Sequence, residues 1–66
     1  MDYMESMERD VELLNALRQE WKNCPAVYDL LGKVADEMSN VYDNDGVDYM
    51  IEEDKWGVLG LVKRPE

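Results

Sequence analysis

Between Val34 and Asp54 the chain carries eight acidic side chains and no basic one: Asp36, Glu37, Asp43, Asp45, Asp48, Glu52, Glu53 and Asp54. Carboxylates at that density can hold a cation, trade protons as a pair, or present negative charge to a basic surface. The spacing argues against the first two. A calcium loop of the EF-hand type needs oxygen ligands at its first, third and fifth positions, Gly at the sixth and Glu at the twelfth. With Gly46 as the sixth, Asp43, Asp45 and Glu52 fit, but the first position is Val41, which has no side-chain oxygen, and the normally apolar eighth is Asp48. Gly57 and Gly60 also make the following stretch a poor exit helix. Asp43-Asn44-Asp45-Gly46 therefore reads as a turn, and no metal site is expected.

Proton exchange needs a pocket as well as a pair. Glu52, Glu53 and Asp54 supply neighbouring carboxyls, but a chain of 66 residues leaves little room for a cleft, and charge runs are usually solvated faces. The absence of histidine removes Ser-His, Cys-His and His-ligated metal chemistry from a single chain. The only thiol, Cys24, has no partner base at hand. The expectation is a protein that is not an enzyme and uses no cofactor.

Presenting charge is what remains. Sixteen acidic residues against seven basic ones give a net charge of −9. Phosphate backbones need a basic footprint, so direct contact with nucleic acid is disfavoured, and an anionic membrane leaflet repels such a chain. The expected partner is a protein with a basic or nucleic-acid-binding surface, on which the eight carboxylates act as phosphate surrogates and Trp56 as an apolar anchor beside them. This describes a DNA-mimic type of inhibitor or modulator, by class analogy with small acidic proteins of phages and mobile elements. A second expectation is a plain interaction module or small subunit docking through apolar residues of the first helix or through an open strand edge, its acid serving solubility.

The elements that must position these residues read clearly in the first half. Met4, Met7, Val11, Leu14, Leu17 and Trp21 recur every three or four residues, with Leu13 widening the stripe, which predicts an amphipathic helix over 3–22. Asp2 and Glu5 have the spacing of a capping box. Asn23-Cys24-Pro25 is a break and a restart, since proline disfavours helix in the residue before it and suits the first helical position. A second helix is predicted over 25–42, with Val27, Leu30, Leu31, Val34, Met38 and Val41 as its apolar face and Ala35 beside them. So short a link makes an αα-hairpin. Acidic Asp36, Glu37 and Asp43 stand toward its C-terminal half, against the helix dipole, each at a cost of a few tenths of a kcal/mol.

Beyond Gly46 the period becomes two: Val47, Tyr49 and Ile51 alternate with Asp48, Met50 and Glu52. Asp54-Lys55-Trp56-Gly57 suits a type I turn, and 57–63 reads as a second strand. The expected fold is α+β, one small domain of a helical hairpin followed by a β-hairpin (ααββ); the alternative is a mostly α chain with a short third helix over 47–56. Open strand edges invite pairing, so a homodimer through 57–63 is a further expectation. The segment 64–66 reads as a frayed tail. One unpaired cysteine, an acidic opening without the basic region of a signal peptide and no long apolar run point to the cytoplasm.

Overall fold

The computed structural model describes residues 3–65. Two helices, α1 (Tyr3–Glu20) and α2 (Pro25–Asn44), are followed by two strands, β1 (Tyr49–Glu53) and β2 (Leu59–Lys63). The strands form an antiparallel ribbon in which Tyr49 faces Lys63, Ile51 faces Leu61 and Glu53 faces Leu59. The α+β, ααββ architecture is the expected one, and the alternative third helix is overturned: its centre is strand, hydrogen-bonded along its length. The partner of the Asp2–Glu5 capping box lies outside the described residues.

Boundaries moved for local reasons. The first helix stops at Glu20 rather than Lys22, because Cys24 before Pro25 must be extended (φ −118°, ψ 94°) and the chain turns through Trp21–Asn23 to reach it. The second helix runs on to Asn44. Its end is a Schellman cap: Gly46 adopts φ 79°, its N–H donates to Asp43 O at 3.0 Å, and the Val47 N–H donates to Tyr42 O at 2.9 Å. The acidic turn is thus the helix cap itself, which delays the start of β1 from Val47 to Tyr49. At the ribbon's tip the Gly57 N–H donates to Asp54 O at 3.0 Å and Gly57 has φ 80°. The Asp54 carboxylate accepts the N–H groups of Trp56 and Val58 at 2.8 and 3.0 Å. That is the type I turn the sequence predicts, and β2 starts after it at Leu59.

The helical hairpin lies across the ribbon, α1 over β2 and α2 over β1. The core between them is Val11, Leu14, Ala35, Ile51 and Leu59, with Leu31, Met38 and Leu61 packed around it. Polar side chains tie the layers. Asn15 of α1 donates to Leu59 O and accepts from the Leu59 N–H, both at 2.9 Å, as a neighbouring strand would. Ser39 of α2 accepts the Ile51 N–H at 2.8 Å.

The expected frayed tail is a correction. The Arg64 N–H donates to Asp48 O at 2.6 Å, extending the ribbon by one pair, and its guanidinium donates to Ser39 O at 2.5 Å and lies 3.5 Å from an Asp43 carboxylate oxygen. Arg64 supplies the basic group that the last turn of α2 lacks. Glu66 lies outside the described residues.

Candidate functional site

The eight predicted carboxylates do not form one face. Three hold the fold: Asp54 caps the turn, Asp43 meets Arg64, and Glu53 accepts from the Arg18 guanidinium at 2.9 Å. The other five, Asp36, Glu37, Asp45, Asp48 and Glu52, are exposed, and no ion pair engages them among the described residues. Asp36 and Glu53 line a depression between α2 and β1, with Asp29 and Lys33 also on its walls. Glu52 borders a second depression, along the ribbon. Asp45 and Asp48 belong to the connection between α2 and β1. Glu37 lies apart, in an apolar groove described below. Asp29 was missed because it precedes the basic-free window; its signal was the seven-residue spacing Asp29, Asp36, Asp43, which places all three on one line of the helix.

Trp56 stands at the ribbon tip, 76% exposed, with the Lys55 ammonium 4.4 Å from its ring centre. Its neighbours across a shallow depression are Asn15, Arg18, Gln19 and Tyr28 rather than the unpaired acids. Glycine beside it is required twice over: Gly57 has positive φ, and a Cβ there would run into the Tyr28 hydroxyl.

Two buried polar contacts, those of Arg18 and of the Tyr42 hydroxyl, lie outside what the sequence predicts. Arg18 sits on the core side of α1, only 4% exposed, its guanidinium stacked 3.8 Å above the Tyr28 ring and paired with Glu53. Its Nε and Nη1 have no hydrogen-bond partner among the described residues, where one carboxylate and one ring face meet its charge. Tyr42 of α2 donates to Asp10 Oδ2 of α1 at 2.5 Å. Burial raises the Tyr42 phenol above its ordinary 10.0; the hydrogen bond to Asp10 and that residue's charge act in the same direction, and a bond with Ser6 opposes them.

The largest departure is on α2. Of its predicted apolar face, Leu31 and Met38 meet the core, while Leu30, Val34 and Val41 stand out at 58%, 38% and 55% exposed. The buried positions are instead Ala35, Ser39 and Tyr42. The outward residues wall an open groove of about 490 Å³ whose lining is almost wholly apolar, with Lys33 and Glu37 at its rim and Asp10 and Tyr42 at one side. On α1, Met7, Val11 and Leu14 are buried as expected, whereas Leu13 is exposed, as is Trp21 in the turn that follows the helix.

Among the described residues no three His, Cys, Asp or Glu side chains converge as metal ligands, and no helix is long and apolar enough to cross a membrane. Glu52, the twelfth position of the calcium pattern, lies on β1 and not on an exit helix. No family model, curated protein or solved structure matches the chain, so the class stated here, a small α+β domain, is argued from its own residues.

Proposed function

We propose that this chain works by binding a protein rather than by catalysis, setting its unpaired carboxylates against a basic surface in the cytoplasm. The target class is a nucleic-acid-handling protein whose phosphate-binding surface the carboxylates occupy, which makes the chain an inhibitor or modulator of the DNA-mimic type. One observation carries the reading. Two cations packed against the acidic segment, Arg18 and Arg64, are consumed inside the fold; exposed Lys33 shares the depression of Asp36, while Asp45, Asp48 and Glu52 are exposed and engaged by no ion pair among the described residues. A net charge of −9 also steers the encounter, because it speeds association with a positive surface and repels other acidic proteins.

The test replaces Asp36, Asp45 and Asp48 by Asn and Glu52 by Gln together, sparing Asp43, Glu53 and Asp54, whose loss would disturb the fold. Tagged parent and variant are exposed to lysate, washed at low and high salt and with excess duplex DNA, and retained proteins are identified by mass spectrometry. The reading expects a nucleic-acid-handling protein that the parent holds at low salt, that DNA displaces, and that the variant no longer holds. A partner held equally by both proteins and resistant to salt and DNA would overturn it. That result would favour docking through apolar residues of α1 and the turn after it, where Leu13 and Trp21 are exposed.

A further inference from the structure

We infer that the free edge of β2 is a self-association site, at which Leu61 and Lys63 pair antiparallel with Lys63 and Leu61 of a second copy. The ribbon's own hydrogen bonds fix which backbone groups are free. The Asp54 N–H donates to Val58 O, and the Arg64 N–H to Asp48 O. In the observed register the hydrogen-bonded pairs are therefore 48–64, 50–62, 52–60 and 54–58. The backbone groups of Leu59, Leu61 and Lys63 point away from β1. Asn15 holds both groups of Leu59, whereas those of Leu61 and Lys63 have no partner among the described residues. The edge that can pair is thus shorter than the 57–63 expected from the sequence. Free donors and acceptors alternating along a strand fit one kind of occupant, another extended chain.

The ends of this short edge select the register. A two-fold axis at Val62 sets Leu61 against the second copy's Lys63 and Lys63 against its Leu61. Each of these residues then donates and accepts once, and symmetry makes every bond twice. The next position would pair Leu59 with the second copy's Pro65, where Leu59 is already satisfied by Asn15 and Pro65 has no N–H to offer. The neighbouring axes do worse. An axis at Leu61 needs the occupied groups of Leu59, and one at Lys63 sets lysine against lysine and Leu61 against Pro65.

The side chains favour a second copy over a foreign strand. Val62 is exposed on the outer face of the ribbon, opposite Met50. In this register the row becomes Met50 and Val62 followed by Val62 and Met50 of the second copy, with a β-branched pair at its centre. On the inner face Lys63 lies beside the second copy's Leu61. Leu61 borders an open depression of about 450 Å³ between α1 and the ribbon, whose walls include Glu8 and Glu12. No ion pair engages Glu8, Glu12 or Lys63 among the described residues, so the ammonium of each copy complements the acidic depression of the other. None of these residues belongs to the carboxylates proposed above to meet a basic partner, which keeps the two readings separately testable.

The test uses the full chain at about 150 mM NaCl, which screens the repulsion between two chains of net charge −9. Sedimentation equilibrium from about 1 μM to about 1 mM, a span that covers weak but specific dimers, should show a monomer–dimer equilibrium. Amide hydrogen exchange, compared at the two ends of that range, should slow by about tenfold at Leu61 and Lys63 in the concentrated sample. It should be slow in both samples at Leu59, which Asn15 protects, and should not change at Tyr49 and Glu53 on the opposite edge. Lys63→Pro removes an N–H that the ribbon itself does not use, so it should keep the parent's circular dichroism and stay monomeric. Lys63→Ala, which keeps the N–H and loses the ammonium, should still dimerise, more weakly by about tenfold. A chain that is monomeric at every concentration, protection gained at Tyr49 and Glu53 instead of Leu61 and Lys63, or a dimer that survives Lys63→Pro would each overturn the proposal.

Discussion

The inner and outer faces of α2 differ in an unexpected direction. The centre of the inner face, sealed against the ribbon, is built from Ala35, 2% exposed, and Ser39, with Leu31, Met38 and Tyr42 around them, while the outer face carries Leu30, Val34 and Val41 as exposed aliphatics. Close approach explains the inner choice. A small side chain lets the helix backbone sit near β1, and the Ser39 hydroxyl then reaches the Ile51 N–H. A valine at either position would hold the layers apart and leave that amide unpaired, at about 1–3 kcal/mol. The comparison teaches that hydrophobicity marks where a helix can be covered, while side-chain size and a polar tip mark what covers it within the chain.

The largest expected effect separates the faces directly. Ile51→Ala, in the inner interface, should cost about 3 kcal/mol. That is most of the 3–5 kcal/mol that a core of this size supplies, so the variant should keep only about 0–2 kcal/mol and unfold at very low urea. Ile51→Val, costing about 1 kcal/mol, keeps the measurement on scale. Leu30→Ala on the outer face should change the unfolding free energy from urea titration at micromolar concentration by less than about 0.5 kcal/mol. Equal losses at Ile51 and Leu30 under those conditions would mean that the outer face is core after all.

Asn15 sharpens the contrast from the other helix. Its amide satisfies the N–H and C=O of Leu59, a pair that lies on the side of β2 away from β1. Asn15→Ala should cost about 2 kcal/mol, since both groups then lose their partner inside a half-buried interface. Amide exchange at Leu59 should rise toward that of the open edge. An unchanged exchange rate would show that the strand edge, not the helix, protects this amide.

The fold was legible because local signals agreed with each other: the period of the first helix, Pro25 at the restart, Gly46 at the cap and Asp54–Gly57 at the turn all act within a few residues. The errors involve tertiary geometry. Which third of the apolar side of α2 would be inward was decided by Ala35 and Ser39, residues that periodicity counts as weak or polar. The roles of Arg18 and Asn15 were not legible, because nothing local reveals a ring face or a strand backbone across the gap. The acidic segment was legible as charge but not as a single surface, since Asp43, Glu53 and Asp54 take structural partners distant in sequence or in the turn itself. Arg64 was dismissed with the tail because the last turn of α2 and the acidic cap it answers lie far from it in sequence.

The smallest effect is at the junction of the two faces, where Tyr42 is buried and its hydroxyl meets Asp10 at the side of the outer groove. Tyr42→Phe should cost about 1 kcal/mol at neutral pH, because Asp10 is half-exposed and regains water when the hydroxyl is lost. The pH dependence carries the sharper test. The folded-state pKa of Tyr42 is raised above the ordinary 10.0, so the native chain retains this proton where the unfolded chain releases it. The contribution is therefore fully present below pH 10 and is lost as the pH climbs through the raised value. The parent's stability should fall more steeply above pH 10 than that of the phenylalanine variant, and the two denaturation curves should converge. Curves that fall in parallel would place the alkaline loss elsewhere and would mean that the Tyr42–Asp10 contact is open to water.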